Sequence, residues 1–180
     1  NKSMQSLAAL KNTQSLQYGF ASPENRVTNS MTRYLKPACI STHLMGNSKD
    51  EILNEMVTLL CQSGNVVNRE EVLNALKERE SSMSTGLEKG IAIPHTKTNG
   101  VTETCVAIGI KKEGVDYKSL DGGLSKIFVM LVSPIENSGP LMRAMSAFTG
   151  ALLHEEVRND LLKAKDAETI ITILKDSNKL

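Results

Sequence analysis

The 180-residue chain contains no tryptophan and only three phenylalanine and three tyrosine residues. Proteins that bind single-stranded nucleic acid depend on aromatic side chains for base stacking, and this chain has few to offer. Its 21 basic residues are balanced by 20 acidic ones, so the net charge of +1 provides no field that would attract nucleic acid or an anionic membrane surface. We therefore expect no nucleic-acid partner.

Long apolar runs and paired cysteines are also absent from the sequence. The run Ile127–Val132 is far shorter than the roughly 20 residues of a membrane-spanning helix, and residues 1–30 lack the basic-then-apolar order of a secretory signal. Cys39, Cys61 and Cys105 are widely spaced, with no CxxC pair and no zinc-type Cys/His grouping. We expect a cytoplasmic protein with reduced, buried thiols, no direct membrane insertion and no metal site.

The chain changes character at about residue 30. Residues 1–30 are rich in Ser, Asn and Gln and contain a turn-like segment at 21–25. We expect a tail or linker there, with a short helix over 3–16 as the alternative. Since 40% of the chain is hydrophobic, residues 31–180 can bury a core of their own, and we predict that they form one domain.

Strand and helix patterns alternate along residues 31–180. Ser48 precedes Glu51 by three positions, which is typical of a helix N-cap, and Asn68 stands in the same relation to Glu71. We predict strands over 38–44, 91–93, 104–111 and 127–132, and helices from Ser48 to a stop at Gly64, from Asn68 to 79–82, and over 139–153, 155–164 and 166–176. This order favours an α/β fold in which helices cover both faces of a sheet.

The segment from Ser84 to Thr96 places a histidine directly after a proline at the end of a short strand. Pro94 fixes its own φ and biases Ile93 to extended backbone, so the backbone that precedes His95 is rigid. Imidazole suits reversible phosphoryl transfer, because its neutral form is nucleophilic near neutral pH and its phosphorylated form is a good leaving group.

A phosphoryl group on His95 needs donors around its oxygens. Gly86 permits close backbone approach, Ser84 and Thr85 add hydroxyl and backbone donors, and Arg79 offers a guanidinium. The residues alone leave two alternatives open: His95 as an ordinary strand-end residue, and Arg79 as a solvated residue at a helix C-terminus.

Two stretches of the chain resemble the enzyme IIA domains, of fructose/mannitol type, of the bacterial sugar phosphotransferase system. The first comprises Lys77–Glu80, Ser84–Gly86 and Gly90–His95. The second extends from Gly114 through an Asp-Gly pair to Pro134, and the whole resemblance covers about 36–177. The same family includes a nitrogen-regulatory branch.

The resemblance implies a single mixed β-sheet with helices packed on both faces. It also implies that His95 accepts a phosphoryl group from phospho-HPr and passes it to a cysteine of an enzyme IIB domain during fructose/mannitol-type sugar uptake. Arg79 then corresponds to the family's phosphate-stabilising arginine, and no cofactor is needed. A membrane enzyme IIC or a regulated transporter is a further candidate partner.

The sequence departs from the family pattern at one position. Family members commonly carry a second active-site histidine on the helix after the last central strand, but residues 140–143 contain none. Arg143 is the candidate to replace it by position. We expect the other two histidines, His43 and His154, to be surface or capping residues.

The departure keeps two other functions open. One is regulation, as in the nitrogen branch, in which the phosphorylation state controls transporters or kinases through binding. The other is a degenerate relative that only docks to a transporter, against which the presence of both Arg79 and His95 argues.

Overall fold

The computed structural model describes residues 29–177 and shows an α/β arrangement. The expected helix over 3–16 lies outside the described residues. The helices are α1 (Asn29–Thr32), α2 (Lys49–Cys61), α3 (Arg69–Ser82), α4 (Gly139–Leu152), α5 (Glu155–Lys163) and α6 (Ala167–Asp176), with a 3-10 turn at Pro37–Cys39. The strands are β1 (Ile40–Ser41), β2 (Ile91–Ala92), β3 (His95–Lys97), β4 (Cys105–Val115) and β5 (Ser125–Ser133). No helix within residues 29–177 has the length and apolar character needed to cross a membrane.

The strands form one mixed sheet, as predicted. β1 runs parallel to β4, β4 runs antiparallel to β5, and β2 and β3 both run parallel to β5 along its other edge. β2 and β3 keep the same register on β5 and are interrupted at Ile93 and Pro94. The sequence predicts a single strand here and does not show that it resumes at His95.

Helices cover both faces of the sheet, which confirms the predicted architecture. Alternate residues of β5 enter two separate cores, because successive side chains of a strand point to opposite faces. One core packs against α4, α5 and α6 and includes Ile127, Val129, Leu131, Phe148, Leu161 and Ile170. The other packs against α2 and α3 and includes Phe128, Met130, Val132, Met56, Leu73 and Leu76.

The capping signals read from the sequence are confirmed. Ser48 Oγ accepts a hydrogen bond from the Glu51 amide at 3.2 Å, and Asn68 Oδ1 accepts one from the Glu71 amide at 3.1 Å. Gly64 follows the end of α2 with φ of +81°, a conformation that glycine adopts without strain.

The predicted strand over 38–44 is wrong in its extent. Pro37–Cys39 instead forms the 3-10 turn, in which the Ile40 amide donates back to the Pro37 carbonyl. The Ile40 amide is therefore hydrogen-bonded within the turn, and only Ile40–Ser41 pairs with β4. The chain meets β4 again where the Leu44 amide donates to the Ile110 carbonyl at 2.8 Å.

The expectation of buried thiols holds for two of the three cysteines. Cys39 and Cys105 are buried, and burial raises the pKa of both, that of Cys105 to about 12, so that both remain protonated. Cys61 is half-buried, so the expectation is wrong for this residue. It is the last residue of α2.

Gly109 is required by the close packing of the second core against β4. A Cβ at this position would lie 2.6 Å from Leu44 Cδ1 and 2.7 Å from Met56 Sδ. We expect Gly109→Ala to lower the free energy of unfolding by about 1–3 kcal/mol through overpacking, as measured by urea denaturation. Gly139→Ala is the control, because its Cβ would meet only the flexible end of Arg143 at 3.4 Å. An unchanged midpoint in Gly109→Ala would contradict this account of the packing.

Candidate functional site

The backbone around His95 is fixed by hydrogen bonds to β5 on one side and to Thr85 on the other. His95 is the first residue of β3 and lies opposite Leu131 of β5. Just before it, the Leu131 amide donates to the Pro94 carbonyl at 3.0 Å, and the Ile93 amide donates to the Thr85 carbonyl at 3.0 Å. The backbone that leads into His95 is therefore restrained, as the Pro-His pair predicts.

The imidazole of His95 is oriented by its own chain. Nδ1 lies 2.8 Å from the Ile93 carbonyl oxygen. A carbonyl oxygen only accepts hydrogen bonds, so Nδ1 carries the proton and donates it. In the neutral ring, Nε2 then holds the free lone pair, which makes it the nucleophilic nitrogen.

The surroundings of the half-buried His95 ring favour its neutral form. Burial lowers the pKa of His95 below its ordinary value, and the positive charge of Arg79 acts in the same direction. The hydrogen bond to Ile93 and the negative charge of Glu80 act in the opposite direction. The net shift is downward, so the ring is available as a nucleophile at neutral pH.

Arg79 lies in the last turn of α3, and its charge acts on His95. Its Nη1 donates to the Met83 carbonyl at 2.8 Å, which anchors the guanidinium at the helix end. A guanidinium has five N–H donors, so this bond is compatible with a bidentate contact to a phosphoryl group.

The loop from Ser84 to Gly86 pairs with β2 through Gly86 and Ala92. A side chain at Gly86 is excluded, since its Cβ would lie 2.9 Å from the Ser119 Cα. The loop also connects the end of α3 to the edge of the sheet at which His95 lies.

Donor groups of this loop already have partners in the structure. The Thr85 amide donates to Glu80 Oε2 at 3.1 Å, the Thr85 hydroxyl donates to Glu80 Oε1, and the Gly86 amide donates to Ser84 Oγ at 3.1 Å. A phosphate role for Ser84, Thr85 and Gly86 stays a prediction. Contact through any of these donors requires exchange of an existing hydrogen bond.

Glu80 was not singled out as a site residue by the sequence. It is only 8% exposed, and its Oε2 lies 2.7 Å from Lys49 Nζ, while the Tyr117 hydroxyl donates to Oε1 at 3.0 Å. Its presence beside Arg79 in the motif was the one available signal. Lys49 and Tyr117 lie far from it along the chain, so no local pattern could indicate them.

The remaining polar candidates lie elsewhere in the fold. His43 is exposed just after β1, and His154 is exposed at the N-cap position of α5, as expected for surface or capping residues. Arg143 is exposed on α4, and its replacement of a second histidine stays a prediction.

Comparison with known proteins decides the family. Residues 33–177 match the family described as phosphoenolpyruvate-dependent sugar phosphotransferase system, EIIA 2. The chain belongs to this family. The predicted recognition of an enzyme IIA domain is confirmed, and the chain is therefore of the phosphotransferase class.

Two curated relatives carry fructose-specific names. The fructose-specific EIIABC component of Bacillus subtilis is 35% identical over 149 residues, which are 83% of this chain and 24% of that protein. The fructose-specific EIIA component of Haloferax volcanii is 33% identical over 127 residues, which are 71% of this chain and 82% of that protein.

A solved structure shares the fold. The crystal structure of nitrogen regulatory protein IIA-Ntr from Neisseria meningitidis has a TM-score of 0.76 and 26% sequence identity. The similarity covers 82% of this chain and 100% of that one. Relatives of this family therefore bear both sugar-specific and regulatory names.

Proposed function

We propose that this enzyme IIA chain is a cytoplasmic phosphocarrier. In this proposal Nε2 of His95 accepts a phosphoryl group from phospho-HPr and passes it to a cysteine of an enzyme IIB domain for fructose/mannitol-type sugar uptake. The observation that carries the proposal is the hydrogen bond from His95 Nδ1 to the Ile93 carbonyl, because it leaves Nε2 as the nucleophilic nitrogen. The fructose-specific names of two relatives support the sugar class.

The transfer balances without an added acid or base. The Nε2 lone pair forms a new P–N bond while the P–N bond of the donor phosphohistidine breaks. The donor ring keeps the proton on its other nitrogen and leaves as neutral imidazole. The His95 ring keeps its Nδ1 proton, and the Ile93 carbonyl stabilises the positive charge that develops on that ring.

Arg79 has an electrostatic role in this scheme. The transferring phosphoryl group spreads negative charge over its equatorial oxygens, and a positioned guanidinium stabilises that charge. We propose the same kind of role for the donors of Ser84, Thr85 and Gly86 if their hydrogen bonds exchange during transfer.

Intact-mass analysis tests the proposal. The chain is incubated with phosphoenolpyruvate, enzyme I and HPr, and its mass is measured under alkaline conditions that preserve phosphohistidine. We expect one added phosphate that depends on HPr. No added phosphate with a competent HPr would contradict the phosphocarrier function and favour a docking module.

Nitrogen-branch regulation is the second candidate function. The structural similarity to IIA-Ntr, which covers 82% of this chain, favours it, as does the lack of a second histidine in residues 140–143. The phosphorylated chain should therefore be mixed with a fructose-type enzyme IIB domain. Passage of phosphate to the enzyme IIB cysteine supports sugar uptake through an enzyme IIC, whereas retention on His95 favours control of a transporter or kinase.

The lowered pKa of His95 predicts the pH dependence of transfer. Burial disfavours the charged ring, so the folded-state pKa lies below 6.5. Because protonation of the ring removes the Nε2 lone pair, we expect the single-turnover rate to decrease in acid with a midpoint below pH 6.5. An NMR titration of the His95 ring checks this directly, and a midpoint at or above 6.5 would contradict it.

The lowered pKa of His95 also makes the stability of the fold depend on pH. At pH values below 6.5 the unfolded chain binds the His95 proton more readily than the folded chain, so stability decreases as the pH falls through 6.5 towards the folded-state pKa. Above 6.5 the ring is mostly neutral in both states, so this loss of stability is absent. We expect His95→Gln to lose less stability over that acid range than the wild type.

A further inference from the structure

Glu80 is a buried carboxylate that the proposed transfer step does not use. Its Oε2 lies 2.7 Å from Lys49 Nζ, and its Oε1 accepts from the Tyr117 hydroxyl at 3.0 Å. Burial and the charge of Glu80 raise the pKa of Tyr117, so the phenol keeps its proton and remains a donor.

The Lys49 ammonium compensates the charge of Glu80 and is held by two further contacts. It lies 4.6 Å from the centroid of the Tyr117 ring and 3.3 Å from Ser84 Oγ. Ser84 in turn donates to the Tyr117 carbonyl at 3.0 Å. Buried ion pairs with such additional contacts are geometrically restrained, and truncation of one partner leaves the other unpaired.

Two hydrogen bonds join Glu80 to Thr85. Oε2 accepts from the Thr85 amide at 3.1 Å, and Oε1 accepts from the Thr85 hydroxyl. Both the backbone and the side chain of Thr85 are therefore fixed relative to the last turn of α3.

Thr85 continues the connection to the imidazole. Its carbonyl accepts from the Ile93 amide at 3.0 Å, and the Ile93 carbonyl accepts from His95 Nδ1 at 2.8 Å. Glu80 is thus linked to His95 through two intervening residues by successive hydrogen bonds.

We propose that Glu80 is a positioning residue for phosphoryl transfer, which holds His95 in its Nδ1–H tautomer through Thr85 and Ile93. The inference rests on the proposed function of His95. A neutral imidazole whose Nδ1 loses its acceptor can move its proton to Nε2, and the ring then has no lone pair on that nitrogen. Displacement of a reacting group by about 1 Å costs roughly a hundredfold in rate.

Glu80→Gln and the pair Thr85→Val and Thr85→Ser test the proposal. Long-range ¹H–¹⁵N NMR of the unphosphorylated protein reports the tautomer of His95, and single-turnover transfer from phospho-HPr reports the rate. For Glu80→Gln we expect detectable Nε2–H tautomer and a rate roughly tenfold to a hundredfold lower, with an unchanged half-saturating phospho-HPr concentration. Thr85→Val should shift both readouts in the same direction, and Thr85→Ser should restore them towards wild type.

Gly109→Ala is the matched control for loss of stability, because its added methyl group would meet Leu44 and Met56, neither of which belongs to this hydrogen-bond chain, and it should keep the Nδ1–H tautomer. If Glu80→Gln does not fold, the Thr85 pair carries the test. An unchanged tautomer in folded Glu80→Gln, or equal tautomers in Thr85→Val and Thr85→Ser, would overturn the proposal. A slower rate with an unchanged tautomer would also overturn it and would indicate a direct phosphate contact instead. If the wild type accepts no phosphate, the proposed function fails, whereas the tautomer comparison still shows whether Glu80 holds His95 in its Nδ1–H tautomer.

Discussion

His95→Gln is expected to abolish phosphoryl transfer from phospho-HPr. Glutamine approximates the size and polarity of the half-buried ring and can still donate to the Ile93 carbonyl, but its amide cannot form a stable P–N bond. Radiolabelled phosphoenolpyruvate, passed through enzyme I and HPr, measures the transfer, and we expect no label on the variant chain.

The other two histidines provide matched controls for this experiment. His43 and His154 are exposed and lie outside the site, so His43→Gln and His154→Gln should each accept label at the wild-type rate. Label on folded His95→Gln, or its loss from either control, would refute the assignment of His95 as the acceptor.

Arg79→Ala is expected to slow phosphoryl transfer by about a hundredfold or more, because removal of one charge-stabilising donor typically costs that much. The loss should fall on kcat, since the guanidinium acts on charge that develops during transfer. Rapid-quench single turnovers with saturating phospho-HPr measure this effect. The ring titration should respond too: the positive charge of Arg79 lowers the pKa of His95, so its removal should raise that pKa.

Two variants make the test of Arg79 specific. Arg79→Lys keeps the charge but loses the planar fork, so we expect a rate between those of wild type and Arg79→Ala. Lys77→Ala removes a positive charge from the same helix, where Lys77 lies 3.8 Å from the exposed Asp50, and should leave the rate unchanged. A wild-type rate in Arg79→Ala would exclude the electrostatic role.

Most of the helical structure could be predicted because its signals are local. Ser48 and Asn68 each bond an amide three residues ahead, so a short window of sequence contains the whole cap. The order of the strands could not be read in the same way, because pairing joins distant segments. Pro94 marks a break in the edge strand, but only the register on β5 shows that the strand resumes at His95.

The same distinction applies to the site: residues in one local motif could be predicted, whereas contacts between distant residues could not. His95 and Arg79 were found because they lie in one continuous motif that resembles a known family. Glu80 belongs to that motif as well, but its role depends on Lys49 and on Tyr117, which is 37 residues away in sequence. The tautomer of His95 also needed the structure, since the distance from Nδ1 to the Ile93 carbonyl has no sequence signature.

The most direct test of the central claim is NMR of the ¹⁵N-labelled chain after phosphorylation by enzyme I and HPr. We predict one phosphorus nucleus coupled to Nε2 of His95, with the proton retained on Nδ1. Phosphorus on Nδ1 of His95, on another residue, or absent from the chain would contradict the account.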